Sequence, residues 1–191
     1  MYVVEEKTIG DYRYEILPDD SPESPREWDN LGTMICFHRR YNLGDKHNFD
    51  NPSDFRKFSK NNRKIGIVLP LYLYDHGGIT MNTTGFGCPW DSGQVGWIYI
   101  SKEKMRSEYG YKRISKKLIE RVRQYLINEV GTYDQYLMGD VYGFRITKDD
   151  EEVDSCWGYY GLDECRSEVE SIIQHLMKSD EQGQLQLDLK E

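Results

Sequence analysis

Two short segments concentrate the side chains able to do chemistry: Asp75-His76-Gly77-Gly78 and Cys88-Pro89-Trp90-Asp91-Ser92-Gly93. The first places an acid and a base at the end of an apolar run. Histidine as a residue type can exchange a proton near neutral pH, and the glycines let the backbone approach a ligand closely. Its plainer role is a polar hairpin turn whose Asp caps its own backbone. The second segment sets a thiol beside a rigid proline. With His76 as base and Asp75 or Asp91 orienting it, Cys88 becomes a candidate nucleophile; as a turn cysteine before proline it is structural. Asp91-Ser92-Gly93 by itself reads as an Asx turn. The candidate catalytic residues are therefore His76, Asp75, Asp91 and Cys88.

His38-Arg39-Arg40 ends another apolar run and supplies positive charge. If it converges with Asp75, His76 and Asp91, an anionic or nucleotide-like ligand fits, with His38, Arg39, Trp90 and Ser92 as candidate ligand-binding residues. A metal held by His38, His76 and Asp91 has no ligand spacing in its favour. No phosphate loop, dinucleotide fingerprint, HExxH or GxSxG occurs, so no cofactor is expected.

The elements that must position these residues read as follows. Alternating or continuous apolar runs give strands at residues 12–17, 33–38, 65–74, 79–84, 95–100, 141–147 and 153–159. Pro70 inside the apolar stretch 65–74 belongs at a bulge or on an edge because it lacks a ladder donor. Residues 1–11 read as a loose lead-in. Pro52 opens a short helix, Ser101 caps a second that Gly110 stops, and Ser115 caps the best one. Its apolar face is Leu118, Ile119, Val122, Leu126 and Val130, followed by a further turn that Gly139 ends. A closing helix covers 162–177, and 179–191 reads as a frayed polar tail. Strands interrupted by helices favour an α+β fold: one domain over 1–178, with a mainly antiparallel sheet of six or seven strands and helices on one face.

Charge is uneven: residues 61–130 carry 11 Lys/Arg against 6 Asp/Glu, and residues 131–191 carry 5 against 15. The net charge of −8 disfavours non-specific nucleic-acid binding. The helix cations Lys112, Arg113, Lys116, Lys117, Arg121 and Arg123 keep a nucleic-acid surface in play, with an ordinary solvated face as its alternative. The acidic stretch around Asp149, Asp150, Glu151, Glu152 and Asp154 has the charge to imitate a phosphate array. The four cysteines lack CxxC spacing, and no apolar run nears the ~20 residues that span a bilayer. A reduced, cytoplasmic location without a membrane anchor is expected, with Cys36, Cys156 and Cys165 as buried thiols.

The strings SPREWDNLGTM, FHRRYNLGD, LPLYLYDHGG, CPWDSGQVGWIY and VDSCWGYYG together resemble a family of uncharacterised small proteins from bacteriophages and other bacterial mobile elements, over about residues 22–163. The resemblance implies a setting and brings no activity with it. The leading expectation is an accessory protein, with counter-defence as one such role. It would bind a host protein or a small anionic ligand through the 75–91 loops and the acidic hairpin. The alternatives are a small hydrolase on a nucleotide-like substrate, using His76 with Asp75 or Asp91, and a nucleic-acid binder using the 112–123 helix.

Overall fold

The structure is a computed structural model in which residues 2–188 are described, with side chains through residue 182. In chain order the elements are β1 (Glu5–Ile9), β2 (Tyr12–Pro18), a 3-10 turn (Pro25–Glu27), β3 (Thr33–Cys36), α1 (Pro52–Asn61), β4 (Ile65–Asp75), β5 (Ile79–Asn82), β6 (Ser92–Ser101), α2 (Lys102–Tyr109), α3 (Lys116–Met138), β7 (Val141–Lys148), β8 (Glu151–Tyr160) and α4 (Leu162–Asp188). This is an α+β chain with antiparallel pairing throughout. Instead of one sheet of six or seven strands there are two of four, ordered β1-β2-β7-β8 and β3-β6-β4-β5. They belong to two compact units, one made of residues 1–23 with 139–191 and the other of residues 24–138. Each unit has its own buried cluster, where the sequence led us to expect a single core.

In the discontinuous unit, alternate residues of β2 and β7 bury Tyr12, Tyr14, Ile16, Phe144 and Ile146 against Cys165, Val169 and Ile173 of α4. The helix is fastened to the sheet by ion pairs Lys7–Glu170 at 2.7 Å and Arg166–Glu5 at 2.7 Å, and by Lys148–Asp180. α4 continues to Asp188, so the expected frayed segment is helical as far as it is described. β1 occupies what reads as a lead-in in the sequence: Gly10 and Asp11 form a two-residue turn that folds Ile9 onto Tyr12.

In the continuous unit, Ile67, Leu69, Leu71 and Leu73 of β4 join Ile98 and Ile100 of β6 on one face. There they pack against Leu118, Val122, Leu126 and Val130 of α3 and Met105 of α2. The opposite face is covered too, which the expectation of helices on one face missed. Phe55 of α1 stacks on Trp97 with centroids 5.0 Å apart and lies 5.5 Å from Tyr99. Trp97 and Tyr99 alternate with Ile98, so α1 must sit across the sheet from α3. Pro70 is tolerated because β5 pairs only with residues from Tyr72 to Asp75, leaving Pro70 on an open edge next to a register shift at Leu71/Tyr72. α3 runs unbroken through Gly131, joining two segments that read as separate in the sequence.

Candidate functional site

A buried charge network holds the segment that carries His38 and Arg39. Arg26, whose side chain is 5% exposed, donates from Nε and Nη2 to the two carboxylate oxygens of Asp45, at 2.9 and 2.7 Å. It also reaches Glu129 at 3.4 Å and donates to the Gly32 carbonyl at 2.8 Å. Asp45 accepts from the Met34 N–H at 2.8 Å, and Glu129 accepts from Leu31 N–H at 2.6 Å and from Gly32 N–H. Burial pushes the Glu129 carboxyl above its usual range against the pull of these donors. Asp45 and the Ile35–Gly44 bridge close the base of a loop that begins at Phe37. Gly44 is required there: its φ is +71°, and a Cβ would lie 2.8 Å from the Met34 carbonyl oxygen. Nothing in the sequence marks this network, because its three charges are far apart in the chain.

The loop, the end of β4 and the start of β6 enclose an open cleft of about 620 Å³. Its lining includes His38, Arg39, Arg40, Asp75, Trp90 and Asp91, with Phe37, Leu73 and Val95 as the apolar part. Three segments singled out for their chemistry thus meet in one place. The Asp75 N–H donates to the Asp91 carbonyl at 2.8 Å, which ties the two turns together, and the Phe37 N–H donates to the Val95 carbonyl at 2.8 Å. Gly96 permits that approach, since a Cβ would meet the Ile35 carbonyl oxygen at 2.0 Å.

In and beside the cleft the partners are specific, although His76 and Cys88 are not among the lining residues. Arg40 pairs with Asp75, which also accepts from the Tyr41 hydroxyl at 3.3 Å. Tyr41 in turn stacks on His38, with centroids 4.9 Å apart and planes 8° from parallel. His38 Nδ1 accepts backbone N–H groups of Arg40 at 3.3 Å and Tyr41 at 3.2 Å, which requires the tautomer with its proton on Nε2. Asp91 Oδ2 sits 3.4 Å from His76 Nδ1 and accepts from Cys88 Sγ at 3.6 Å. Ser92 donates its hydroxyl to the Cys88 carbonyl and so shapes the loop. Among the described residues Arg39 has no carboxylate partner. Trp90, at the loop tip, is 93% exposed.

Comparison with family models, with curated proteins and with solved structures finds no match. The chemistry has to be argued from the geometry. For Cys88 as nucleophile the order is wrong: Asp91, an acceptor, lies between the thiol and His76, whereas a base-activated thiol needs the imidazole next to it. Asp75 is engaged by Arg40 and Tyr41, so His76 finds its acid in Asp91 alone. Among the described residues no three His, Cys, Asp or Glu side chains are grouped to hold a metal ion, and no helix is long and apolar enough to cross a membrane. Arg40 lines the cleft with His38 and Arg39, the run singled out in the sequence for its positive charge, while Tyr41, which no sequence signal marked, stacks on His38 beside it. Cys36 and Cys165 are buried, and burial pushes each thiol up to about 12. Cys156 was expected to be buried and is instead exposed, because its strand β8 is an edge strand exposed along most of its length.

Proposed function

We propose that this protein is an accessory binding protein, and that the cleft at the joined ends of β4 and β6 is where it takes hold of a partner protein. The observation that carries this reading is Trp90, 93% exposed and lining the cleft together with Arg39, which has no carboxylate partner among the described residues. Tryptophan, tyrosine and arginine are the side chains that dominate the energy of protein interfaces. A small-ligand site encloses most of its ligand, whereas this cleft is open and its largest aromatic stands in solvent. The other charged groups have partners: Arg40 pairs with Asp75, and Asp91 lies beside His76. The partner segment therefore brings an apolar side chain for Trp90 and Phe37 and one carboxylate for Arg39. The mobile-element setting that the sequence strings resemble fits a protein whose work is to occupy another protein.

The experiment is site-specific cross-linking. A photoreactive residue at position 90 gives a defined adduct in bacterial lysate. The Arg39→Glu change abolishes it, while the same photoreactive residue at position 153 on β8 yields no such adduct. An adduct indifferent to Arg39→Glu overturns the assignment of the surface.

A second reading rests on the His76–Asp91 pair. The carboxylate lies 3.4 Å from Nδ1 and the side chain is 70% exposed, an arrangement open to general-base chemistry. This is the hydrolase alternative. It requires that His76→Ala abolish turnover of a nucleotide-like phosphoester while thermal unfolding stays unchanged.

A further inference from the structure

Cations are distributed between the two units in different ways. The discontinuous unit has 7 Lys/Arg against 21 Asp/Glu, a net of −14, and the continuous unit has 18 against 12, a net of +6. In the acidic unit five of the six cations with described side chains are ion-paired: Lys7, Arg13, Arg145, Lys148 and Arg166. In the basic unit the excess is concentrated in two segments. Residues 56–64 carry five cations and no acid, and residues 102–123 carry nine against three. Among the described residues, only Arg123 of these fourteen lies within 4.0 Å of a carboxylate, that of Glu120.

The two segments are joined in space. Lys102 N–H donates to the Lys64 carbonyl at 2.7 Å, and Lys102 Nζ donates to the Arg63 carbonyl at 2.8 Å. This seats the end of the α1–β4 connection against the start of α2. At the far end of α2, the Arg121 guanidinium lies over the Tyr109 ring, 5.3 Å from its centroid, which brings the second turn of α3 alongside. These contacts link the two segments, and Lys60, Arg63, Arg106, Lys116 and Lys117 on them are all exposed. This surface lies at the end of the sheet opposite the cleft, where β4 begins and β6 ends.

We propose that this surface binds the phosphate backbone of double-stranded nucleic acid without regard to sequence. Fourteen cations with one carboxylate partner among them are an arrangement whose self-repulsion an external polyanion relieves. Along the roughly 12 Å of α2, a duplex presents about seven phosphates. The choice among polyanions follows from the side chains. Single-strand binders carry rows of aromatics for base stacking, and membrane-surface helices carry an apolar face. Across both segments the large apolar side chains leave only Tyr111 exposed. The net charge of −8 does not forbid the contact, because screening at physiological salt confines each charged region to about 8 Å.

The test is fluorescence anisotropy of the full chain with labelled duplex DNA and duplex RNA of about 20 base pairs, and with vesicles of anionic lipid. Contact with about four phosphates weakens duplex binding on the order of 100-fold between about 50 and 200 mM salt. Charge reversal at four positions (Arg63→Glu, Lys64→Glu, Lys116→Glu, Lys117→Glu) abolishes it. The milder set with glutamine at the same positions lowers the slope against salt while preserving thermal unfolding. Trp90→Ala leaves the affinity within twofold, which separates this surface from the cleft. Absence of duplex binding at about 50 mM salt, binding that survives the glutamine set unchanged, or a preference for anionic vesicles over duplex each overturns the proposal.

Discussion

At the residue scale, the side chains with the most at stake are the ones the chain hides. Glu129 is 8% exposed and serves three donors: the Arg26 guanidinium and the N–H groups of Leu31 and Gly32. Removing one member of a buried pair leaves the other charge without compensation, which costs about 3–5 kcal/mol. Glu129→Ala is therefore expected to lower stability in urea by that amount, and a loss below about 1 kcal/mol would show that Arg26 is satisfied without it. The thiols divide in the same way. At mildly alkaline pH a disulfide-exchange reagent should titrate Cys156 first and Cys88 next. Cys36 and Cys165, each pushed up to about 12 by burial, should react only after unfolding. Four rapid thiols would contradict the packing of both clusters.

At the element scale, the α4–sheet contact depends on pH in a direction that can be derived. The Arg166 guanidinium holds the Glu5 carboxyl below its ordinary value of 4.5, and Lys7 does the same to Glu170. A carboxyl whose folded value is depressed binds its proton more readily when unfolded. Its stabilisation is thus complete above the ordinary value and lost as pH falls through the depressed one. Glu129 runs the other way: its raised value means that acid relieves a cost present at neutral pH. Stability measured from pH 6 to pH 3 should therefore fall in the wild type. Arg166→Gln should flatten that fall, and parallel curves would show that the Arg166–Glu5 pair contributes no pH dependence. The elements also show what sequence periodicity reports. Strand and helix cores were legible because Ile67, Leu69, Leu71 and Leu73 alternate and because Leu118, Val122, Leu126 and Val130 share one face. β1 was missed since Glu5-Glu6-Lys7-Thr8 carries no apolar alternation and is held by backbone pairing to β2. The second helix layer was missed because Phe49, Phe55 and Phe58 are spread over a loop and a short helix.

At the scale of the whole molecule, the meeting of Asp75, His76, Cys88 and Asp91 was legible because a hairpin and its return strand carry them, so local connectivity forces them together. Their partners were not legible. That Asp91 serves His76 while Arg40 takes Asp75 follows from a loop pinned by Asp45, 30 residues before the hairpin. The division into two units was hidden by connectivity, since the chain enters the acidic unit, leaves it for the basic one and returns. Counted along the chain, residues 61–130 and 131–191 already differ in sign. The acidic first 23 residues, however, are averaged with the start of the basic unit, so the full contrast of −14 against +6 is not visible. The central claim, that the cleft works by holding a partner protein, is tested most directly by comparing partner retention on three immobilised variants at equal folded concentration. Trp90→Ala and Arg39→Glu should each lower retention of the protein captured by the wild type at least tenfold, an interfacial loss of about 1.4 kcal/mol or more, while His76→Ala retains it. Retention lost with His76→Ala and kept with Trp90→Ala would contradict the account and return the site to catalysis.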